Sequence, residues 1–425
     1  MKRILSLIAT MMLTLGTLAA NIETDRSWYL AGEAMKVSVT TDNALIAYAE
    51  LCDTYSLVAG AVIGLAEGKG TETIELPSNM HSGYYVLSVY TRDNANVSRK
   101  LVAVVNPLRS SADDDIEWVQ ITDSDSLSYS ATIAGESLTA AAMTDEKDVD
   151  VRETEGHIIK ARVTNAYRGV TYKSHQIHPS LGIVGKQVHY FEGKMVNDTT
   201  AVFYTYGLHG KQPLVLSAAT YTGVSLPIEM ISPFASLLPK QLPHLVFHYR
   251  RSEVEARSLE MQRHQIAIAP AKKELQLGYY ENAAAEEGVP MDYDNTLFGE
   301  HPDLTYNLDE YRQFLTVREV LLEYISCVQR TKVDGVPQLM VRDEQGNYDS
   351  SWPAMVFIDG MPVIDVDRLL NYDARRIHYV NIFRNNYTFG NGVYRGIVSF
   401  ISRSGRLTNY PTEPNTQYVV YEFPE

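Results

Sequence analysis

The sequence predicts a mainly β, multidomain protein: two β-sandwich modules followed by a small α+β domain. Three observations predict it. Short alternating or β-branched runs separated by Gly, Pro and Asp turns recur from Asn21 to Pro107. A second set of such runs resumes at His157, beyond a charged stretch. Past Thr316 the pattern changes to one amphipathic helix followed by apolar runs around an Asp-Gly turn.

Residues 1–20 read as a signal peptide. Lys2 and Arg3 precede an uncharged apolar stretch from Ile4 to Ala20, with small residues at Thr17, Ala19 and Ala20 for cleavage. No other stretch approaches the roughly 20 apolar residues of a spanning helix, so no transmembrane span is expected in the mature chain. The first cysteine is Cys52, too far along to carry a lipid at the cleavage site. The expected location is the periplasm, or peripheral attachment to the outer membrane.

The 425 residues suit two to four domains, and 45% apolar content supports packed cores. With 52 acidic and 37 basic residues the net charge is −15, which opposes nucleic-acid or anionic-membrane surfaces. Cys52 and Cys327 are read as buried small apolar residues, a disulfide between them being the other reading.

Residues 21–108 form the first expected sandwich. Its clearest strand is Met35-Lys36-Val37-Ser38-Val39-Thr40, which alternates apolar and polar. Further runs are Leu45 to Leu51, Thr71 to Leu76, Tyr84 to Tyr90 and Lys100 to Val105. Thr24-Asp25-Arg26-Ser27-Trp28-Tyr29-Leu30-Ala31-Gly32-Glu33, Ile74-Glu75-Leu76-Pro77 and Ser82-Gly83-Tyr84-Tyr85 resemble the macroglobulin-type sandwich that bacterial envelope proteins share with the α2-macroglobulins. The protease-trapping thioester of that family needs Cys-Gly-Glu-Gln, whereas Cys52 precedes Asp53-Thr54 and Cys327 precedes Val328-Gln329.

Residues 109–155 read as a linker with weak strands, opening on Ser110-Ser111-Ala112-Asp113-Asp114-Asp115. Residues 156–235 form the second sandwich, with strands at Ile158 to Val163, Lys186 to Phe191, Ala201 to Thr205 and Leu214 to Ser217. Residues 236–310 hold a connecting helix, Ser252 to Ile268, and an extended segment from Gly278 to Asp309.

The α+β domain spans residues 311–405, and residues 406–425 are expected as a tail. Thr316-Val317-Arg318-Glu319 is a capping box, and Val317, Val320, Leu321, Tyr324, Ile325 and Val328 follow at helical spacing. Met355 to Ile358, Asp359-Gly360 and Met361 to Val363 read as a hairpin, because both turn positions need positive φ. Asp365 caps a short helix through Leu370, and strands follow at Ile377 to Phe383 and Gly396 to Ile401. Pro353 to Gly360, Ile377 to Ile382, Phe389-Gly390 and Tyr394 to Ile401 resemble, as an ordered set, the plug domain of TonB-dependent outer-membrane receptors. That resemblance implies a candidate docking surface at Asp359, Gly360, Phe389, Gly390 and Gly396, although the same residues also suit a plain hairpin and relief of crowding. Only Ser402 to Glu425 follows, too little for a membrane barrel, so the expectation is a plug-like domain without a pore.

No catalytic constellation emerges. There is no Gly-x-Ser-x-Gly elbow and no Gly-x-x-x-x-Gly-Lys loop. His175-x-x-His178 and His244-x-x-x-His248, with His189, His209 and His264, are weighed as zinc ligands. The opposite-face geometry of i and i+3 in strands favours ordinary surface or core histidines. Asp113 to Asp115, Asp123-Ser124-Asp125 and Asp292-Tyr293-Asp294-Asn295 lack the glycine and terminal glutamate of a calcium loop and read as solvated linkers. The expected protein is a non-catalytic envelope binding or scaffolding protein with no cofactor and no metal, acting on envelope proteins. The alternatives are an accessory of a TonB-dependent transport system and an enzyme with an unrecognised site.

Overall fold

In a computed structural model of the chain, the described residues are 20–424, except 43, 94, 123–130, 133–149, 155, 186–187, 221, 275–295, 334, 349–351, 390–391, 408–409 and 412. The signal-peptide reading, Asp123 to Asp125, Asp292 to Asn295 and Gly390 therefore lie outside them. The protein is mainly β and divides into two compact units, residues 1–154 with 236–258 and residues 155–235 with 259–425.

The first unit is built on two facing sheets. One has three strands in the order Asn21–Thr24, Ala34–Thr40 and Lys69–Glu75. The other runs Trp28–Leu30, Val97–Val105, Gly83–Tyr90, Ile46–Cys52 and Leu57–Gly64. The expected alternation appears in Ala34–Thr40, where Met35, Val37 and Val39 enter a core shared with Tyr29, Leu51 and Leu87. Gly32 turns the chain at φ 90°, which an L side chain rarely adopts, and brings Glu33 back to accept from Leu30 N at 2.8 Å.

Two segments expected elsewhere complete this unit. Leu245–Tyr249 pairs in parallel with Ile116–Gln120, Leu245 opposite Ile116. The ring of Phe247 sits edge-on to Trp28 and Trp118, 4.8 and 5.5 Å away, and is fully buried. Residues 236–258 thus belong to the first module rather than to a connection. The expected linker carries one of its strands. The helix Arg251–Glu274 begins in this unit.

The second unit contains the second sandwich. Its sheets run Lys194–Met195, Thr200–Thr205, His157–Val163, Ile228–Ile231 and His189–Glu192, Ile177–Ile183, Gly210–Thr220, Gln417–Phe423. Residues expected as a C-terminal tail therefore supply a strand, with Tyr421 and Phe423 in the core beside Leu214 and Leu216. The apolar and aromatic residues of that segment find a partner only across long sequence separation.

The same unit contains an α+β part. Its sheet runs Leu304–Asn307, Ile377–Phe389, Gly392–Ser402, Met355–Ile358 and Met361–Pro362, with Met355–Ile358 parallel to Gly392–Ser402. Both halves of the capping box form: Thr316 Oγ1 accepts from Glu319 N at 3.4 Å, and Glu319 Oε2 accepts from Thr316 N at 3.1 Å. The helix ends at Glu323, and Val328 opens a hairpin of Val328–Val333 with Val336–Val341 instead of continuing the helical face. Among the described residues no helix is long and apolar enough to cross a membrane.

Candidate functional site

The residues singled out for docking serve mostly as internal joints. Asp359 and Gly360, at φ 47° and 81°, form the turn between Met355–Ile358 and Met361–Pro362. The Asp359 carboxylate is fully buried and accepts from Ser402 N at 2.7 Å, Ser402 Oγ at 2.5 Å and Leu407 N at 2.9 Å. Asp359 O accepts from Gly185 N at 3.1 Å, tying the turn to the second sandwich. A Cβ on Gly360 would lie 2.4 Å from Ile183 O, so glycine permits this close approach.

Gly396, at φ 85°, faces Val341, where a Cβ would lie 2.7 Å from the valine Cβ. It lies on the strand that pairs with Ile377–Phe389 across the register shift between Phe383 and Asn386. Asp359, Gly360 and Gly396 are buried, so these three do not form an accessible docking surface. Phe389 is half-buried among the rings of Tyr190, Phe298 and Tyr394.

A different group of residues converges on one cleft. In Ile177–Ile183 the odd-numbered Ile177, Leu181 and Ile183 enter the sandwich core, which turns His178, Ser180 and Gly182 to the outer face. Ser180 stands opposite Ser217 on one side and Glu192 on the other, while Tyr190 stands opposite Gly182. Bare Gly182 admits the 359–362 turn, with Gly360 O 2.6 Å from the place of a Cβ. Beside that contact a cleft of about 100 Å³ remains, floored by His178, Ser180 and Ser217 and walled by Tyr190, Tyr394 and Gln338.

The floor is internally bonded. Ser180 Oγ and Ser217 Oγ are 2.7 Å apart, and Tyr190 donates to Glu192 Oε2 at 2.6 Å. Glu192 Oε1 lies 3.6 Å from His178 Nδ1. Burial, reinforced by the Glu192 charge, pushes the Tyr190 hydroxyl well above its usual range, so Tyr190 stays a neutral donor. The sequence shows polar residues at alternate positions of one strand, which normally face solvent. It carries no local sign that a second domain covers them.

The other histidines and acids divide among local roles. His244 pairs with Asp115, and Asp114 accepts from Ser82 N and Ser111 N, each at 2.7 Å. His175 and His178 line a neighbouring groove with Glu192 and Lys194. Among the described residues no group of three or more His, Cys, Asp and Glu side chains is placed to hold a metal ion. Cys52 and Cys327 are buried free thiols.

No family model and no curated protein matches the chain. Among solved structures it is similar to the BSP domain of a biofilm-associated protein, at TM-score 0.18 and 10% identity over 55% of this chain and 30% of that one. It is similar to Escherichia coli alpha-2-macroglobulin activated by porcine elastase, at TM-score 0.19 and 12% identity over 52% of this chain and 20% of that one. It is also similar to fibronectin(III)-like modules of Clostridium thermocellum CbhA, at TM-score 0.15 and 9% identity over 55% and 95% of the respective chains. The chain spans less than a third of the first two of these structures. The β-rich, multidomain fold stands on the sheet topology itself.

Proposed function

We propose that the chain is a non-catalytic binding or scaffolding protein of the cell envelope that recognises protein partners through its sandwich and α+β modules. One observation carries this reading: Gln417–Phe423 forms the outer strand of the second sandwich's four-stranded sheet, with Val420 41% exposed. A sheet edge recognises an extended peptide by strand addition, main-chain hydrogen bonds giving affinity and alternate side chains specificity. The macroglobulin-type residues from Thr24 to Glu33 support the envelope assignment, as do Lys2, Arg3 and the apolar stretch that follows. Location in the periplasm or at the outer membrane is part of the proposal.

The α+β part favours a second reading, an accessory of a TonB-dependent transport system. Met355–Ile358 lies beside Gly392–Ser402 in one sheet, and both carry the residues that resemble a plug domain. Affinity capture from envelope extracts tests both. Repeated recovery of one envelope protein, weakened by Val420→Lys, supports strand-edge recognition. Recovery of a TonB-dependent receptor selects the accessory role, and recovery of nothing above a bare-resin control overturns both. Turnover of any substrate in a panel of peptides and glycosides overturns the non-catalytic assignment.

A further inference from the structure

We propose that the cleft over His178, Ser180 and Ser217 is a binding site for one ring of an uncharged sugar. Three observations on the same cleft lead there. The first is its charge. Among the described residues that line it there is no Asp, Glu, Lys or Arg, and the nearby carboxylate of Glu192 is already bracketed by Tyr190 and His178. A phosphate, carboxylate or ammonium ligand would lose its hydration there without gaining a counter-charge. A neutral ligand loses far less.

The second observation is the polar inventory. Ser180 and Ser217, bonded to each other at 2.7 Å, line the floor with hydroxyl lone pairs that accept, and Gln338 adds an amide that both donates and accepts. Sugar hydroxyls also do both, so each can exchange one cleft-bound water for one protein group. The arrangement of Gln338 depends on a missing side chain. Gly223 sits at φ 86°, and a Cβ there would lie 2.5 Å from Gln338 Nε2, so glycine makes room for the amide at the cleft wall.

The third observation is the apolar counterpart. Tyr394 supplies ring surface, and Pro353, Pro362 and Val363 supply aliphatic surface. A sugar ring has the same two-sided character, with C–H faces and a hydroxyl rim. The space of about 100 Å³ is several times what one water needs, and it opens to solvent on one side. A sugar ring is larger than this space, so it enters in part and displaces several waters.

The test is titration of the full chain with D-glucose, D-galactose and N-acetyl-D-glucosamine by ligand-observed NMR and calorimetry, with acetate, phosphate and ethanolamine as charged controls. The expected result is saturable binding of at least one sugar at millimolar concentration and none of the charged controls. Gln338→Ala should weaken binding roughly tenfold, the scale of one lost hydrogen bond. Ala219→Phe, which fills the cleft floor from a partly buried position, should abolish it. Thermal melting and circular dichroism of each variant establish that it is folded, and Gln338→Ala decides if Ala219→Phe fails to fold. The proposal is overturned if none of the three sugars binds the folded chain, if a charged control binds better, or if Gln338→Ala binds as tightly as the parent.

Discussion

Arg257 donates to Glu33 through Nε at 3.0 Å, joining residues 224 positions apart, while its guanidinium lies 3.7 Å above the ring of Trp28. Both side chains are largely buried, at 14% and 7% exposure. Glu33 also accepts from Arg26 Nη1 at 3.1 Å and from Leu30 N at 2.8 Å. The Tyr-x-x-Gly-Glu start of the first module is thus an acceptor that fastens Arg257, in the part of the helix that belongs to this unit, to its sheet. Arg257→Ala would leave the buried carboxylate to Arg26 and Leu30 N alone and remove the cation–π contact. We expect a loss of about 2 kcal/mol in the first unit's stability, measured by calorimetry. Glu33→Ala combined with Arg257→Ala should cost less than the two singly summed, and strict additivity would refute the coupling.

The Asp359 turn should respond differently to its two residues. Asp359→Asn keeps one acceptor oxygen but weakens three bonds into a site with no exposure, and a cost of roughly 2–3 kcal/mol is expected. Gly360→Ala meets both a positive φ and Ile183 O at 2.4 Å, which the backbone can relieve only by withdrawing from the sandwich. Chemical denaturation of the two variants should rank Gly360→Ala as the more destabilising, and the reverse order would contradict the geometry.

Much of the local structure was legible because it rests on neighbours in sequence. The alternation of Met35, Val37 and Val39 marked a half-buried strand, Thr316 with Glu319 marked a helix start, and Asp359-Gly360 marked a turn. What escaped reading depends on distant pairs. Leu245–Tyr249 gains its place from Ile116–Gln120, and Gln417–Phe423 from Gly210–Thr220, neither of which leaves a local periodic signal. Helical spacing extends past Glu323, where the helix ends, because Ile325 and Val328 fit helical spacing and strand composition equally well. The burial of Asp359, Gly360 and Gly396 escaped reading for a related reason. Asp-Gly chemistry reveals a turn, whereas only the folded chain shows the sandwich lying against it.

The last strand makes the second sandwich depend on residues at the chain's far end. Tyr421 Oη lies 2.5 Å from His157 Nε2, 264 positions earlier, and the two rings stack at 5.5 Å. Phe423 is 1% exposed in the same core. Phe423→Ala should cost about 3–5 kcal/mol, the range for removing a buried phenyl ring. Tyr421→Phe removes only the hydroxyl bond and should cost on the order of 1 kcal/mol. Urea unfolding of each variant tests the ranking, and equal, negligible effects would show that this strand is dispensable to the module.

Glu413 should impose a pH dependence on the second unit. Its side chain is 1% exposed and accepts from Tyr410 Oη at 2.9 Å and Asp365 N at 3.1 Å. Burial nevertheless dominates and pushes its carboxyl up from 4.5 to about 7. Between those values the folded state holds a proton that the unfolded state has released, so stability must fall as pH rises from about 4.5 through about 7. The full effect is on the order of 3 kcal/mol, most of it felt by pH 8. Glu413→Gln keeps a hydrogen-bond acceptor without the charge and should flatten that slope while raising stability at pH 8. Melting temperatures of parent and variant across pH 5 to 8 decide the matter, since parallel curves would mean that Glu413 ionises as freely when folded as when unfolded.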